Sequence, residues 1–179
     1  MVLTVNIYVI RLEGDDPRKS TALKLVRFGL AKRVSGPRDV PKGVVVLNPA
    51  ADKVLTPLDR GPILKHGLVV VDASWNRGIE PIVKVCRRIR GHQRVLPLLF
   101  AGNPVNYAVP TKLSSAEAVA AALYITGFKD DALKVLNLFK WGHAFIELNE
   151  ELLEEYSKAS SAEDVIKIQS KVLEKLKPK

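Results

Sequence analysis

A carboxylate and a large aromatic ring follow a run of β-branched residues near the middle of the chain. In HGLVVVDASWNRG, Asp72 comes directly after Val69–Val71, and Trp75 lies three residues further on. Continuous apolar runs of this kind are typical of buried parallel strands. A carboxylate at such a strand end could act as a base, orient a charged ligand or cap the following helix. The indole could wall a pocket or belong to the core.

Two other segments could complete a pocket beside this strand end. The strand predicted at 43–47 runs into Leu47-Asn48-Pro49, and the irregular segment NPVNYAVPTKLSS, residues 103–115, leads into a helix. Ligands of α/β sheets bind at the carboxyl ends of the strands. The aliphatic side chains and backbone groups of these segments suit a flat, neutral, hydrogen-bonding ligand such as adenine.

Several common kinds of site are not predicted. The sequence has no G-x-G-x-x-G after a first strand and no G-x-x-x-x-G-K-[ST], which argues against a Rossmann dinucleotide site and a P-loop. His66, His92 and His143 are scattered without metal-ligand spacing, so no metal site is expected. Cys86, the single cysteine, excludes an internal disulfide and is interpreted as a small buried hydrophobe.

The elements that must position these residues follow an alternating pattern. Strand and helix patterns alternate over the first hundred residues, which predicts an α/β fold with a mostly parallel sheet. Ser114–Glu117 is a capping box that opens an alanine-rich helix ending at Gly127. We expect an α/β N-terminal domain over 1–93 and a mainly helical C-terminal domain over 94–179. Strands are predicted at 3–11, 43–47, 68–72 and 94–104, and helices from Pro17, after Thr56-Pro57, and at about 79–90, 116–126, 129–139, 150–158 and 162–176.

Positive charge is concentrated in the N-terminal part of the chain. Residues 1–100 carry 18 lysines and arginines against 8 acidic residues, whereas residues 101–179 carry 10 against 11. Every arginine lies in the first 94 residues. Arginine contacts phosphate in a bidentate way, so this asymmetry predicts that a nucleic acid, RNA in particular, binds this half. A lysine- and glutamate-rich thermophilic surface is the alternative, but it does not explain the one-sided distribution.

Nothing in the chain predicts a membrane protein. No apolar stretch reaches the roughly 18 residues that a membrane helix needs. The N-terminus MVLTVNIYVIRLEG lacks a basic region and a small-residue cleavage site, so a secretory signal is not expected. We therefore expect a cytoplasmic protein.

Four segments resemble, in order and spacing, the motifs of the small-subunit ribosomal RNA aminocarboxypropyltransferases. They are DPRKSTALKL, VVVDASWNR, RVLPLLFAGNPVNYAVPTKLSSAEAVAAALYITG and FKWGHAFIELN, and the resemblance spans about residues 5–150. Ala73 stands where many members have cysteine, and Ala108 where glycine is common. The family transfers the 3-amino-3-carboxypropyl group of S-adenosylmethionine to N3 of a methylated pseudouridine during ribosome biogenesis. The resemblance implies a SPOUT-like fold with a trefoil knot, followed by the all-helical C-terminal part.

The resemblance also implies a set of residues that bind S-adenosylmethionine. Thr21 and Ser115 are expected to hold the amino acid end, and the backbone of Val71 the ribose. Leu96 and Thr111 are expected to hold the adenine edge through main-chain groups. The apolar walls are expected to come from Leu47, Pro49, Trp75, Leu113 and Ala118.

Asp72 is the candidate base for the N3 proton, although a free aspartate near pKa 3.9 is weak for that task. Orienting the cofactor, or favouring the positive charge of its sulfonium, is its alternative role. The target base must be unpaired to expose its Watson–Crick edge. We expect RNA to be held mainly by basic residues on the helix after the first strand, namely Arg18, Lys19, Lys24, Arg27, Lys32 and Arg33, with help from the arginines of 84–94.

Two other functions remain open on the sequence. The first is an S-adenosylmethionine-dependent RNA methyltransferase with the same knotted architecture. The second is a non-catalytic ribosome-assembly protein that binds precursor rRNA. Related knotted methyltransferases often dimerise, but the added helical part could cover that surface, so a monomer is expected.

Overall fold

The structure, a computed structural model, describes residues 2–12, 16–74 and 77–178. In that part of the chain, five strands and seven α-helices follow one another, with strand and helix alternating up to residue 94 and helices dominating after it. Short 3-10 turns lie at Pro17–Lys19, Pro37–Asp39 and Pro57–Asp59. The strands are β1 (Ile7–Arg11), β2 (Lys32–Val34), β3 (Val44–Leu47), β4 (Leu68–Asp72) and β5 (Gly91–Arg94). The helices are α1 (Thr21–Arg27), α2 (Arg60–His66), α3 (Glu80–Arg87), α4 (Ser115–Ile125), α5 (Lys129–Leu136), α6 (Gly142–Ser157) and α7 (Ala162–Leu176).

The five strands form one parallel sheet in the order β2-β1-β4-β3-β5. β4 lies at the centre, between β1 and β3, and all five of its residues are buried. Its register places Val70 opposite Leu47 of β3 and Asp72 opposite Arg11 of β1. Because the strands are parallel, the carboxyl ends of β1, β3 and β4 meet at the same edge of the sheet.

Side-chain alternation along the strands divides the core into two layers. Leu68 and Val70 pack with α1, α4, α5 and α6 on one face of the sheet, whereas Val69 and Val71 pack with α3 on the other. Side chains alternate between faces with a period of two residues, so Asp72 continues the series of Leu68 and Val70. Its carboxylate therefore points toward the face that α1 and α4 cover.

The larger hydrophobic core joins the sheet to the C-terminal helices. It extends from Val5 and Val9 through the alanine-rich α4 to Phe145 on α6 and Val165 on α7. Alanines 120, 121 and 122 are at most 1% exposed, so α4 lies in close contact with its neighbours. The division at residues 93 and 94 stays a prediction, because both parts contribute to this one core.

The SPOUT-like trefoil knot is the part of the fold prediction that is wrong. The described elements give an α/β fold with a five-stranded parallel sheet and helices after it, and neither their order nor their pairing gives evidence of a knot. The knot was implied by the family resemblance and by no residue pattern of this chain. The α/β class, the parallel strand pairing and the helical C-terminal part do agree with the structure.

Local boundaries differ from the sequence prediction at the sheet edges. β2 (KRV) and β5 (GHQR) were not predicted, because short edge strands with polar residues carry no apolar alternation. The strand expected at 94–104 reduces to Arg94 at the end of β5, and the residues after it run irregularly. α6 begins at Gly142, eight residues before the predicted start at 150. No helix in the described ranges is long and apolar enough to cross a membrane.

Candidate active site

A cavity of about 470 Å³ opens at the carboxyl ends of β3 and β4. Its walls come from these strand ends, from the start of α3, from the segment 95–99 and from the residues that lead into α4. The volume lies in the range of small-molecule and cofactor pockets. Its position at the strand ends is the one that α/β folds use for ligands.

This cavity gathers eight of the ten residues that were expected to bind the cofactor. The eight come from four separate segments of the chain, and they mix aliphatic side chains with the hydroxyls of Thr111 and Ser115. They are Leu47, Pro49, Val71, Leu96, Thr111, Leu113, Ser115 and Ala118.

The other two expected cofactor residues are Thr21 and Trp75. Thr21 is not among the cavity-lining residues, but its Oγ1 accepts the backbone N–H of Ala116 at 3.0 Å, which places it beside Ser115. Trp75 falls outside the described residues, so its place as a wall of the pocket stays a prediction.

Asp72 lies at the centre of a buried polar cluster beside the cavity. Its side chain is 9% exposed, and that of Arg11 is 7% exposed. Oδ2 of Asp72 accepts Nη1 of Arg11 at 2.6 Å and Oγ of Ser20 at 2.7 Å. Oδ1 accepts Oγ of Ser115 at 2.6 Å. One carboxylate therefore joins β1, the residue before α1 and the first turn of α4.

The predicted capping box at the start of α4 forms, and it does more than cap the helix. Ser114 Oγ accepts the N–H of Glu117 at 3.2 Å, and Glu117 Oε1 accepts the N–H of Ser114 at 2.9 Å. Glu117 is fully buried and also accepts the N–H groups of Gly102 and Asn103 and the side-chain amide of Asn103. Its carboxylate thus fixes both ends of the segment 102–114, which carries part of the cavity wall.

Two residues of this segment adopt the left-handed backbone region. Ala108 has a φ of 61° and Thr111 a φ of 64°. A positive φ is rare for a β-branched residue and costs on the order of 1–3 kcal/mol. The N–H of Thr111 donates to the carbonyl of Leu99 at 2.9 Å, which directs the main chain of Thr111 along the cavity wall. Strained residues of this kind cluster at ligand sites.

The basic residues expected to hold RNA divide into accessible and engaged groups. Lys19 and Arg27 are exposed, and so are Lys32 and Arg33, which lie on β2 instead of the predicted helix. Arg18 is exposed and donates to Asp16, which lowers the pKa of that carboxyl below its ordinary value. These residues follow β1 or lie on its neighbour β2.

Lys24 differs from the other basic residues of this group. Its Nζ donates to the carbonyl of Leu138 at 2.7 Å and lies 4.8 Å from the ring centre of Phe139. The side chain therefore joins α1 to the turn between α5 and α6. This geometry indicates a packing role, which the helical spacing of the sequence could not reveal.

Sequence reasoning missed several residues of the cavity. Lys112 lies in its lining and is exposed, which places a cation at the opening. Ile79 and Ile82 line it from the start of α3. Lys112 stands next to the expected Thr111 and Leu113, and its charge was the signal that could have indicated it.

The single cysteine, Cys86, is not among the residues that line the cavity. Cys86 is fully buried in the core on the α3 face, and burial raises the pKa of its thiol to about 12. Among the described residues, no group of three or more His, Cys, Asp or Glu could hold a metal ion.

Comparison with known proteins agrees with this geometry. A family described as "Ribosome biogenesis protein, C-terminal" matches residues 45–173. A 16S rRNA aminocarboxypropyltransferase from Methanopyrus kandleri is 45% identical over 168 residues, which cover 92% of this chain and 96% of that one. The chain belongs to the 16S rRNA aminocarboxypropyltransferase family. A second member, from Vulcanisaeta distributa, is 48% identical over 153 residues, covering 84% of this chain and 81% of that one.

A solved structure of an aminocarboxypropyltransferase has the same fold. It is described as the SAM-dependent rRNA:acp-transferase Tsr3 from Vulcanisaeta distributa. The two chains are 41% identical and superpose with a TM-score of 0.84, over 97% of this chain and 98% of that one. The fold is therefore that of this aminocarboxypropyltransferase structure and not the SPOUT-like knotted fold that the sequence resemblance had implied.

Proposed function

We propose that this protein transfers the 3-amino-3-carboxypropyl group of S-adenosylmethionine to small-subunit ribosomal RNA. The observation that carries the proposal is the cavity at the ends of β3 and β4, found in a chain 45% identical to a named 16S rRNA aminocarboxypropyltransferase. The protein acts as an enzyme of ribosome biogenesis, with S-adenosylmethionine as a substrate and no metal assigned.

The residues present fit an adenosyl sulfonium. Leu47, Pro49, Leu113 and Ala118 offer apolar walls of the kind that a flat purine needs. Main-chain groups of Leu96 and Thr111 are assigned to the adenine edge, and the backbone of Val71 to the ribose. Thr21 and Ser115 are assigned to the amino acid end, and Trp75 to a further wall.

The chemistry is a displacement at one of three carbons on a sulfonium. Ring N3 of an (N1-methyl)pseudouridine attacks the methylene carbon through which the aminocarboxypropyl arm is bonded to sulfur. That carbon–sulfur bond breaks, and methylthioadenosine leaves as a neutral thioether. The N3 proton passes to solvent. Because attack occurs at the carbon held in line at about 3–3.5 Å, orientation of the sulfonium selects the group that is transferred. We propose that this protein buries the methyl group of S-adenosylmethionine and leaves the aminocarboxypropyl arm exposed.

RNA contact is assigned to the basic residues next to the cavity edge. Ser20 contacts Asp72, so Arg18 and Lys19 lie within two residues of the buried polar cluster. Lys112 adds a cation at the cavity opening. Arg27, Lys32 and Arg33 extend the exposed positive charge along α1 and β2. Phosphate contacts of this kind position an RNA without reading its sequence.

Three finer points complete the proposal. The target base is unpaired when it is modified, because pairing hides its N3 edge. The enzyme acts as a monomer, which light scattering of the purified protein tests directly. It acts in the cytoplasm on the small-subunit precursor particle.

A labelling experiment tests the proposal. The protein is incubated with small-subunit precursor RNA and S-adenosylmethionine labelled either in the carboxyl carbon or in the methyl group. Entry of the carboxyl label into RNA is expected. Entry of the methyl label would make the protein a methyltransferase, and RNA binding without either label would make it a non-catalytic assembly protein. Either result overturns the proposal.

A further inference from the structure

The hydrogen bonds around Asp72 fix the direction in which the Ser115 hydroxyl points. A carboxylate that accepts a guanidinium N–H has no proton to donate, so Ser115 must be the donor in its 2.6 Å contact with Oδ1. A serine hydroxyl has one proton and two lone pairs. The Ser115 oxygen, which lines the cavity, therefore offers lone pairs alone to a ligand.

The hydroxyl of Thr21 has the opposite hydrogen-bonding role, because it can donate to a ligand. Its Oγ1 accepts the backbone N–H of Ala116 at 3.0 Å, which occupies a lone pair and leaves the hydroxyl proton free to be donated. Ala116 follows Ser115 directly, so the Thr21 hydroxyl lies against the first turn of α4, which also carries the Ser115 hydroxyl. An amino acid end carries an ammonium, which donates, and a carboxylate, which accepts.

We infer that Asp72 is a positioning residue that presents Ser115 as a hydrogen-bond acceptor for the ammonium of the transferred arm, while Thr21 donates to its carboxylate. The inference rests on the proposed function. The ammonium and the carboxylate of the arm are then bound in a single orientation. Selectivity for this zwitterion depends on Asp72, which need not contact the substrate itself.

The same contacts separate this role from that of a base. Both oxygens of Asp72 are engaged, by Arg11 and Ser20 on Oδ2 and by Ser115 on Oδ1. Proton removal from N3 would depend on the one lone pair of Oδ1 that these contacts leave, on a side chain that is 9% exposed. In the positioning role the cluster stays intact, and the N3 proton passes to water.

Binding measurements with three ligands test the inference. S-adenosylmethionine, its deaminated analogue and its decarboxylated analogue are titrated by calorimetry into the wild type, Ser115→Ala, Asp72→Asn and Thr21→Val. Ser115→Ala and Asp72→Asn are expected to weaken S-adenosylmethionine about tenfold or more and to leave the deaminated analogue within about twofold. Ser115→Ala removes the hydrogen bond to the charged ammonium, and Asp72→Asn removes the carboxylate that fixes the direction of the Ser115 hydroxyl. Thr21→Val is expected to weaken S-adenosylmethionine in the same way and to spare the decarboxylated analogue.

Ser157→Ala is the matched control. It removes a serine hydroxyl that donates to the carbonyl of Glu154 on α6, and Ser157 neither contacts Asp72 nor lines the cavity. The ratio of affinities for S-adenosylmethionine and its deaminated analogue should therefore stay at the wild-type value. Ser115→Ala changes no charge, so the test does not depend on Asp72→Asn remaining folded beside Arg11.

Two results would overturn the inference. One is an equal loss of affinity for all three ligands in Ser115→Ala. The other is an Asp72→Asn enzyme that binds S-adenosylmethionine normally but loses turnover and the acidic limb of its pH profile, as expected for a base. Absence of label transfer by the wild type would instead contradict the proposed function, so the two failures are distinguishable.

Discussion

Glu117 in the first turn of α4 accepts a hydrogen bond at 2.6 Å from the side chain of Asn103, fourteen residues earlier in the chain. Both side chains are buried, and the same carboxylate also accepts the backbone N–H groups of Gly102 and Ser114. The segment between Asn103 and Ser114 is thereby closed into a loop whose two ends are held by one side chain. Thr111 and Leu113 in this loop line the cavity.

Replacing Glu117 with glutamine should lower the free energy of unfolding by about 2–3 kcal/mol, because an amide N–H₂ would then face buried N–H donors. Affinity for S-adenosylmethionine should fall as well, since the loop carries part of the cavity wall. Chemical denaturation and calorimetric titration measure the two effects. Glu147→Gln, at an exposed position on α6, is the control and should change stability by less than about 0.5 kcal/mol. Equal stabilities of the two variants would contradict the role of Glu117.

Filling the cavity should abolish tight binding and leave the fold intact. Ala118 lines the cavity and is half-buried on α4. Ala118→Leu should raise the Kd for S-adenosylmethionine about tenfold or more, because the larger side chain occupies volume that the ligand needs. Ala162→Leu, at the start of α7 and away from the cavity lining, should bind normally. Normal binding by Ala118→Leu would place the ligand elsewhere.

Neutralising the exposed cations near α1 should change how RNA binding depends on salt. The double variant Lys19→Gln/Arg27→Gln should bind precursor RNA more weakly, and the slope of log K against log salt should become shallower by roughly 0.7–0.9 for each phosphate that the variant no longer neutralises. Filter binding at several salt concentrations measures the slope. Lys171→Gln/Lys175→Gln on α7 removes the same charge from the other half of the chain and serves as control. A wild-type slope in the α1 double variant would reject this RNA surface.

Lys24→Gln should behave differently from both of these double variants. Because its Nζ contacts the Leu138 carbonyl and the Phe139 ring, its removal should lower the free energy of unfolding by about 1–2 kcal/mol. Its salt slope should match that of the wild type. If the slope of log K against log salt became shallower while stability stayed unchanged, Lys24 would instead be a residue that contacts RNA.

Cys86 should make stability depend on alkaline pH. Its pKa is raised by burial to about 12 in the folded protein, against about 8.5 for an unperturbed thiol. Between these values the unfolded state loses the proton and the folded state keeps it, so the free energy of unfolding falls as pH rises, by up to about 1.4 kcal/mol per pH unit. Below pH 8 this contribution is constant. The buried tyrosines Tyr124 and Tyr156, whose pKa values burial also raises, act in the same direction.

Cys86→Ala isolates the thiol from the tyrosines. The variant is less stable at every pH because it leaves a small void, but its stability should fall less steeply above pH 9 than that of the wild type. Denaturation curves from pH 7 to pH 10 measure the difference. Identical pH dependence in the two proteins would contradict the burial-raised pKa of Cys86.

The sequence predicted best what depends on neighbouring residues. The capping box of Ser114 and Glu117 and the central strands β3 and β4 follow from local patterns, and each is present. The hydrogen bonds from Gly102 and Asn103 to Glu117 could not be predicted in this way. They form only because the tertiary fold brings together residues that are far apart in the sequence.

The cavity residues were predicted through family resemblance, and the structure brings eight of them to one place. The same resemblance led to the wrong expectation of a SPOUT-like knot, which no residue pattern of this chain supported. The role of Lys24 was missed for a physical reason. Helical spacing shows that a lysine is near a surface, but not that a carbonyl and an aromatic ring from another segment lie against it.

The by-product of the reaction tests the central claim most directly. The wild-type protein is incubated with S-adenosylmethionine and small-subunit precursor RNA, and the nucleosides in solution are separated by chromatography. The account predicts methylthioadenosine, in an amount equal to the modified RNA. S-adenosylhomocysteine in its place would show that the methyl group had been transferred and would contradict the account.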